Sequence, residues 1–489
     1  MRSLNICPTG VNLHPDTARV LIRPFIPSDP ARVVNIIGRA LALSEEETAE
    51  NLAGITTEFA SRHTDIQAAW RKHYEWVKQH VFSSRPLSEC RRLYIGSLFS
   101  GEYALESAAL FNPSIVPHPD QGGLAGGELR FILSLRATGE GHISSIEFRT
   151  GVIHEDHSIT MEMPSRFVTA PEVSANPTYR KKIFLHKLME MGFENDWSAE
   201  VMKSLGDYFN SSELEAAMRK ATQDLGPLPR EVQRTMECVR WLAESNYEIN
   251  FHESISISER IIFPVSSNES NGMEDARFVR FVEDDGSVLY CATYTAYNGR
   301  AILPQFLETT DFLHFRALTL NWRAVQNKGM ALFPRRIHGR YAMISRQDDE
   351  NLFLMYSDHP HFWSDPKLLR KPAESWEAVK IGNCGSPIET EAGWLVITHG
   401  VGSMRKYCIG ALLLDMEDPS KVIGHLREPL LSPEADEREG YVPNVVYTCG
   451  ALVHRGRLIL PFGVSDSAST IVTMDLGGLL NMLKSNGPS

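Results

Sequence analysis

The chain has 489 residues, 43% hydrophobic and 22% charged, enough for two or three domains or one large repeat domain with additions. A net charge of −12 with no dense Lys/Arg block argues against a nucleic-acid partner or an anionic membrane surface, while leaving room for a small basic pocket around one anion. No apolar run nears about 18 residues, and the seven cysteines are scattered without a Cys-x-x-Cys pair. The expectation is a soluble, reduced, cytoplasmic protein with neither disulfides nor a zinc site.

In chain order, Arg19-Val20-Leu21-Ile22-Arg23 reads as a short strand stopped by Pro24. Asp29-Pro30 then starts a helix carrying Val33, Val34, Ile37 and Leu41 at helical spacing. Ser44-Glu45-Glu46-Glu47 fits a capping box, and a third helix carries Ile66, Trp70, Tyr74 and Val77. Residues 1–89 are therefore expected to form an amino-terminal helical region. Short strands follow at Leu93-Tyr94-Ile95, 130–135 and 143–148, with Gly122 to Gly127 as a hairpin tip. His154-Glu155-Asp156-His157 lacks helical spacing and reads as a hydrated turn rather than a metal site. A helical insertion spans about 177–244.

From residue 250 strands dominate, and Asp311, Asp358, Asp415 and Asp475 mark turns roughly 47 to 60 residues apart. That period suits four-stranded blades. Four such units and one before the insertion predict a mainly β chain, a five-bladed β-propeller over 90–489 with a polar pocket at one end. Ser270 to Arg277 offers the densest chemistry. Glu274, Asp275 and Arg277 enter a strand through Asn271-Gly272, and alternation along that strand should turn Glu274 and Asp275 to opposite sides.

Six motifs in order extend this reading: Gly272-Met273-Glu274-Asp275-Ala276-Arg277, Ala331-Leu332-Phe333-Pro334, Lys380-Ile381-Gly382, His399-Gly400-Val401, Asp418-Pro419-Ser420-Lys421-Val422-Ile423 and Val442-Pro443-Asn444. Together, over about residues 90–475, they resemble glycoside hydrolase family 130, the β-mannoside phosphorylases and related mannosidases. The resemblance implies a five-bladed propeller and inverting attack on a β-mannosidic bond, with phosphate as the nucleophile in most members and α-mannose 1-phosphate as product. It implies Asp275 as the catalytic acid, its proton passing through a mannose hydroxyl, with Glu274 and Arg277 fixing the sugar and the loop. Ala276 stands where the family's acidic motif usually has proline.

A phosphorylase needs cations facing the acid across the sugar, where an inverting hydrolase places a second carboxylate. The candidates are Arg136, Arg300, Lys328, Lys380 and His399, with the resemblance favouring Arg300 and His399. Asn112, Tyr441 and Asp466 are candidate hydroxyl partners, and Tyr297 or Trp376 could stack on a pyranose. No metal or organic cofactor is implied, only inorganic phosphate as co-substrate beside a β-mannoside oligosaccharide; a homo-oligomer is left open. The competing readings are a phosphate-independent β-mannosidase and a non-catalytic sugar-binding propeller.

Overall fold

Antiparallel pairing gathers most of the strands into five groups. The computed structural model describes residues 4–83, 86–174, 177–223, 225–299, 302–435 and 437–487. Sheet I holds Ala109–Pro117, Leu129–Thr138 and Ser144–Ile153, with Ile159–Met161 outside. Sheet II holds Gly272–Val282, Val288–Tyr297, Ile302–Thr309 and His314–Thr319, extended by Tyr247–Asn250. A single parallel bridge, Gly272 to Ser144, joins the two into one eleven-stranded sheet. Sheet III holds Ala331–Leu332, Tyr341–Ser345, Leu352–Ser357 and Lys367–Arg370. Sheet IV holds Lys380–Asn383, Gly393–Val401, Tyr407–Leu414 and Val422–His425. Sheet V holds Val446–Tyr447, Arg457–Val464 and Ala468–Asp475, and its outer strand is Ile6–Leu13 from the other end of the chain.

Side-chain alternation explains why both faces of these strands are apolar. In sheet IV, Val396, Leu412 and Leu414 pack on Phe333, Ile344 and Leu354 of sheet III. Their neighbours Leu395, Ile397 and Leu413 pack on Leu458 and Leu460 of sheet V. Ile146 and Phe148 of sheet I meet Phe278 and Ala292 of sheet II, whose Val279 and Phe281 meet Tyr341 and Met343 of sheet III. Leu133 and Leu135 of sheet I join Ile459 and Ile471 of sheet V. Each sheet is thus packed between two others.

The aspartate-marked turns fall at one structural position, the end of the third strand of a group. Asp311 accepts from the Leu313 and His314 amides and Asp415 from those of Glu417 and Asp418, the local bonds that favour Asp in such turns. Asp156 does the same for Ser158, so His154 to His157 is the equivalent turn of sheet I. Asp358 takes Arg340 instead, and Asp475 caps the helix Leu476–Asn486.

The amino-terminal helices are Pro30–Ala42, Glu45–Phe59, Ile66–Val77 and Glu89–Leu98, with Asp29 and the Ser44/Glu47 capping box at the expected starts. Two expectations need correction. Leu93-Tyr94-Ile95 is helical: Ser88 caps the segment through the Arg91 amide, Leu93 packs on Trp70, and Ile95 packs on Ile37. Within residues 1–89 the expected short strand forms as Val20–Pro24, paired with Ser100–Ala104, but Ile6–Leu13 is a further strand and belongs to sheet V. Helices Lys181–Glu190, Asp196–Lys203, Ser211–Thr222 and Arg230–Glu244 occupy the insertion and share their own core around Phe184, Leu188, Val201, Leu214 and Val239. Among the described residues no helix is long and apolar enough to cross a membrane.

Candidate active site

Two β-bulges face each other where sheets I and II meet. One breaks the register of Ala109–Pro117 between Phe111 and Ser114, the other that of Gly272–Val282 between Glu274 and Arg277. Inside them Asn112 has φ 50° and Asp275 φ 56°, in the left-handed region that non-glycine residues rarely enter. Asn112 Nδ2 donates to Asp275 Oδ1 at 2.5 Å, and the Phe278 amide donates to Ser114 Oγ at 3.1 Å, locking the bulges together.

The bulge overturns the expectation that Glu274 and Asp275 point to opposite sides. An extra residue cancels the alternation, and both carboxylates meet the same guanidinium. Arg136 Nη2 donates to Glu274 Oε1 at 2.8 Å, while Arg136 Nη1 lies 3.7 Å from Asp275 Oδ1. Lys328 Nζ takes the other Glu274 oxygen at 2.5 Å. Burial alone would push the Asp275 carboxyl up. The charges of Arg277, Arg136 and Lys328 and the Asn112 hydrogen bond outweigh it, and the group is held below its usual range. Asp275 is therefore ionised in the free protein, so the raised pKa that direct proton donation calls for is not present in this state.

Arg277 is a brace rather than a sugar ligand, a correction to its expected place. Its side chain is 1% exposed. It donates to Cys384 O in sheet IV, to Tyr447 Oη in sheet V and to Asp275 O, each at 2.8 Å. Three of its five N–H groups are thereby spent on tying sheets II, IV and V together.

His399 is buried on the second strand of sheet IV, its ring 4.9 Å edge-on from that of Tyr447. Burial, then the charges of Arg346, Arg277 and Lys380, push its pKa well below the ordinary histidine value. The ring is neutral, so His399 adds a hydrogen-bonding group and no positive charge, contrary to what its place among cations suggested. Arg346, which the sequence reading missed, supplies the charge at this point. Its Nη1 is 3.3 Å from His399 Nε2 and its Nε donates to Lys328 O at 3.4 Å. Gly329, at φ 87°, and Gly382 make the space, since a Cβ on either would run into Arg346 or His399. Lys380 and Arg346 share Asp349, at 3.1 and 3.4 Å. An arginine closing a buried strand just before an Asp-rich turn was the available signal.

The other predicted residues fall into three groups. Asp466, at φ 50° in the turn between Arg457–Val464 and Ala468–Asp475 of sheet V, has its carboxyl pushed up to about 6, first by burial and against the pull of Arg136. The Asp275 and Glu274 charges add to that rise, placing Asp466 within electrostatic reach of the cluster. Tyr441 is exposed on the rim, its ring stacked 5.4 Å from that of His142, and Tyr297 is half-buried, its carbonyl accepting from the Asn271 amide. Trp376 does not face a sugar: its ring packs against Gly400 and Gly410, and its indole nitrogen donates to Arg427 O. Arg300 lies outside the described residues. Asn112 Oδ1 is buried with no partner among the described residues.

The arrangement joins one carboxylate pair to several cations. The profile of glycoside hydrolase family 130, described as beta-1,4-mannooligosaccharide phosphorylase, matches residues 237–485. The chain belongs to this family. It is 32% identical over 299 residues to a 1,2-beta-oligomannan phosphorylase of Thermoanaerobacter sp. (strain X514), covering 58% of this chain and 93% of that protein. It is 31% identical over 220 residues to a beta-1,4-mannooligosaccharide phosphorylase of Ruminococcus albus, covering 42% of this chain and 64% of the relative. Among solved structures, the beta-1,2-mannobiose phosphorylase of Listeria innocua in complex with beta-1,2-mannobiose is similar at 20% identity and TM-score 0.46, over 77% of this chain and 92% of that one. In this family-130 chain, all seven cysteines are free.

Proposed function

We propose that the chain cleaves a β-mannosidic bond of a manno-oligosaccharide with inorganic phosphate, inverting the anomeric centre and releasing α-mannose 1-phosphate. The five sheets are read as the blades of a five-bladed propeller. Supporting this, packing runs from sheet I through V and back to I, and a strand from the amino-terminal end completes the last sheet. The observation that carries the proposal is the meeting of Asn112 and Arg136 from sheet I, Asp275 from II, Arg346 from III, His399 from IV and Tyr447 from V in one linked set. Relatives named as phosphorylases of 1,2- and 1,4-linked mannosides agree with it.

In this reading phosphate is held by Arg346, Lys328 and Lys380, with neutral His399 as a hydrogen-bond partner. A phosphate oxygen attacks the anomeric carbon on the face opposite the leaving oxygen, and that carbon–oxygen bond breaks. The leaving oxygen takes a proton from Asp275 by way of a mannose hydroxyl. Ionised Asp275 takes that proton from solvent as phosphate binds, because the incoming dianion offsets the cations that hold its pKa down, and the product keeps the phosphate's own proton until it is released. Phosphate thus both supplies the nucleophile and arms the acid.

Incubation with β-1,2- and β-1,4-mannobiose, with and without phosphate, tests this directly. Phosphate-dependent formation of mannose 1-phosphate is the expected result. Free mannose formed regardless of phosphate, or binding with no turnover, overturns the proposal.

A further inference from the structure

A cavity of about 850 Å³ lies between the helical insertion and the edges of sheets II and III, well away from Asp275. It touches the strand Gly272–Val282 only at its far end, through Phe281 and Glu283. Glu283 lies nine positions on from Glu274, at most about 30 Å at about 3.3 Å per residue. The volume is that of a pocket for a small molecule.

Its walls combine aromatic rings with unbalanced charge. His186 on the insertion helix Lys181–Glu190 stands edge-on to Trp322 and to Phe362, with ring centres 5.8 and 5.3 Å away. Trp322 is held at φ 86°, a conformation unfavourable for so bulky a residue, and its amide donates to Glu190 Oε2 at 2.6 Å. Strain of this kind persists where the surrounding structure imposes it, here by a carboxylate of the insertion itself. Of the lining cations, Arg336 is paired with Glu283, Arg340 with Asp358, and buried Lys187 with Glu190. Arg316 lies 3.8 Å from Glu308. Arg180 and Lys182, both exposed, make no ion pair among the described residues; the Arg180 guanidinium lies over the Tyr208 ring at 5.8 Å, and its charge helps to hold the Glu308 carboxyl down. A basic mouth over an aromatic chamber, in a chain of net charge −12, favours an anion that carries a ring.

We propose that this cavity is a second binding site, for a small organic phosphate whose ring sits among His186, Trp322 and Phe362 and whose phosphate meets Arg180 and Lys182. The ring could belong to a sugar or to a nucleoside. A sugar phosphate would make the helical insertion a sensor of product, and a nucleoside phosphate would make it a sensor of the cell's energy state.

Calorimetric titration of the full chain with α-mannose 1-phosphate, AMP, mannose and inorganic phosphate tests the site. The Arg136→Ala/Lys328→Ala variant silences the catalytic cluster. Binding of either organic phosphate should survive in that variant and weaken about tenfold or more in Arg180→Ala/Lys182→Ala. Phe362→Ala should weaken it too, while leaving the affinity of inorganic phosphate unchanged. Preference for mannose 1-phosphate identifies a sugar ring, and preference for AMP a nucleoside. The proposal is overturned if neither compound binds, if binding disappears with Arg136 and Lys328, or if inorganic phosphate binds the cavity as tightly as the organic ones.

Discussion

Sheet I carries two clusters of buried charge, and they are built to opposite ends. In one, Arg19 and Arg149 meet Glu106 and Glu147 through four contacts of 2.7 to 3.1 Å, with every side chain at most 5% exposed. The guanidiniums hold the Glu147 carboxyl down, while burial and the Glu147 charge push Glu106 up to about 8. This cluster has no access to a ligand, and its Arg19 ties the amino-terminal segment to the sheet through Glu147. In the other, Arg136 is 19% exposed and Lys328 29%, and Arg277 and Arg346 add further charge beside Glu274 and Asp275. The first cluster is closed and structural. The second opens to solvent through Arg136 and Lys328, with further guanidinium charge buried behind them, an arrangement that can receive an anion.

Removing one group from each cluster separates the two roles. Asp275→Asn should lower phosphorolysis by about a thousandfold or more, the loss expected of a general acid, while the chain still folds. Near-normal turnover would remove Asp275 from the chemistry. Glu147→Gln should do the converse, because it leaves Arg19 and Arg149 short of a buried counter-charge. A loss of about 3 to 5 kcal/mol in urea unfolding is expected, with turnover per folded molecule preserved.

Smaller changes sharpen the contrast. Lys328→Ala removes one charge-assisted donor from the open cluster, and the KM for phosphate should rise about ten- to a hundredfold in initial-rate measurements. Asp466 gives the smallest effect. With its carboxyl pushed up to about 6 by burial, the folded chain keeps a proton that the unfolded chain sheds near pH 4. Its contribution to stability is whole at low pH and is lost as pH rises through about 6. Asp466→Asn should flatten the pH dependence of the melting temperature across that window.

The parts legible in the sequence are those governed by local rules. Asp156, Asp311 and Asp415 mark turns because a carboxylate bonds amides two or three residues on, and that depends on little else. The Ser44 capping box is similarly local. Leu93 to Ile95 misled because three apolar residues fit a strand or a helix, and only the packing on Trp70 and Ile37 decides. The Asp275 bulge was illegible because its backbone depends on Asn112, 163 positions away. Arg277 and His399 were found by motif, yet their burial, and with it the brace and the neutral ring, comes from sheets distant in sequence.

The strand Ile6–Leu13 has a consequence for how the protein is made. Thr9 bonds Ile471, 462 positions later. A ribosome delivers the early strand first and must finish almost the whole chain before its partner emerges. The nascent protein therefore carries an unmatched edge through most of its synthesis, so a stalled or shortened product is left adhesive at both its ends.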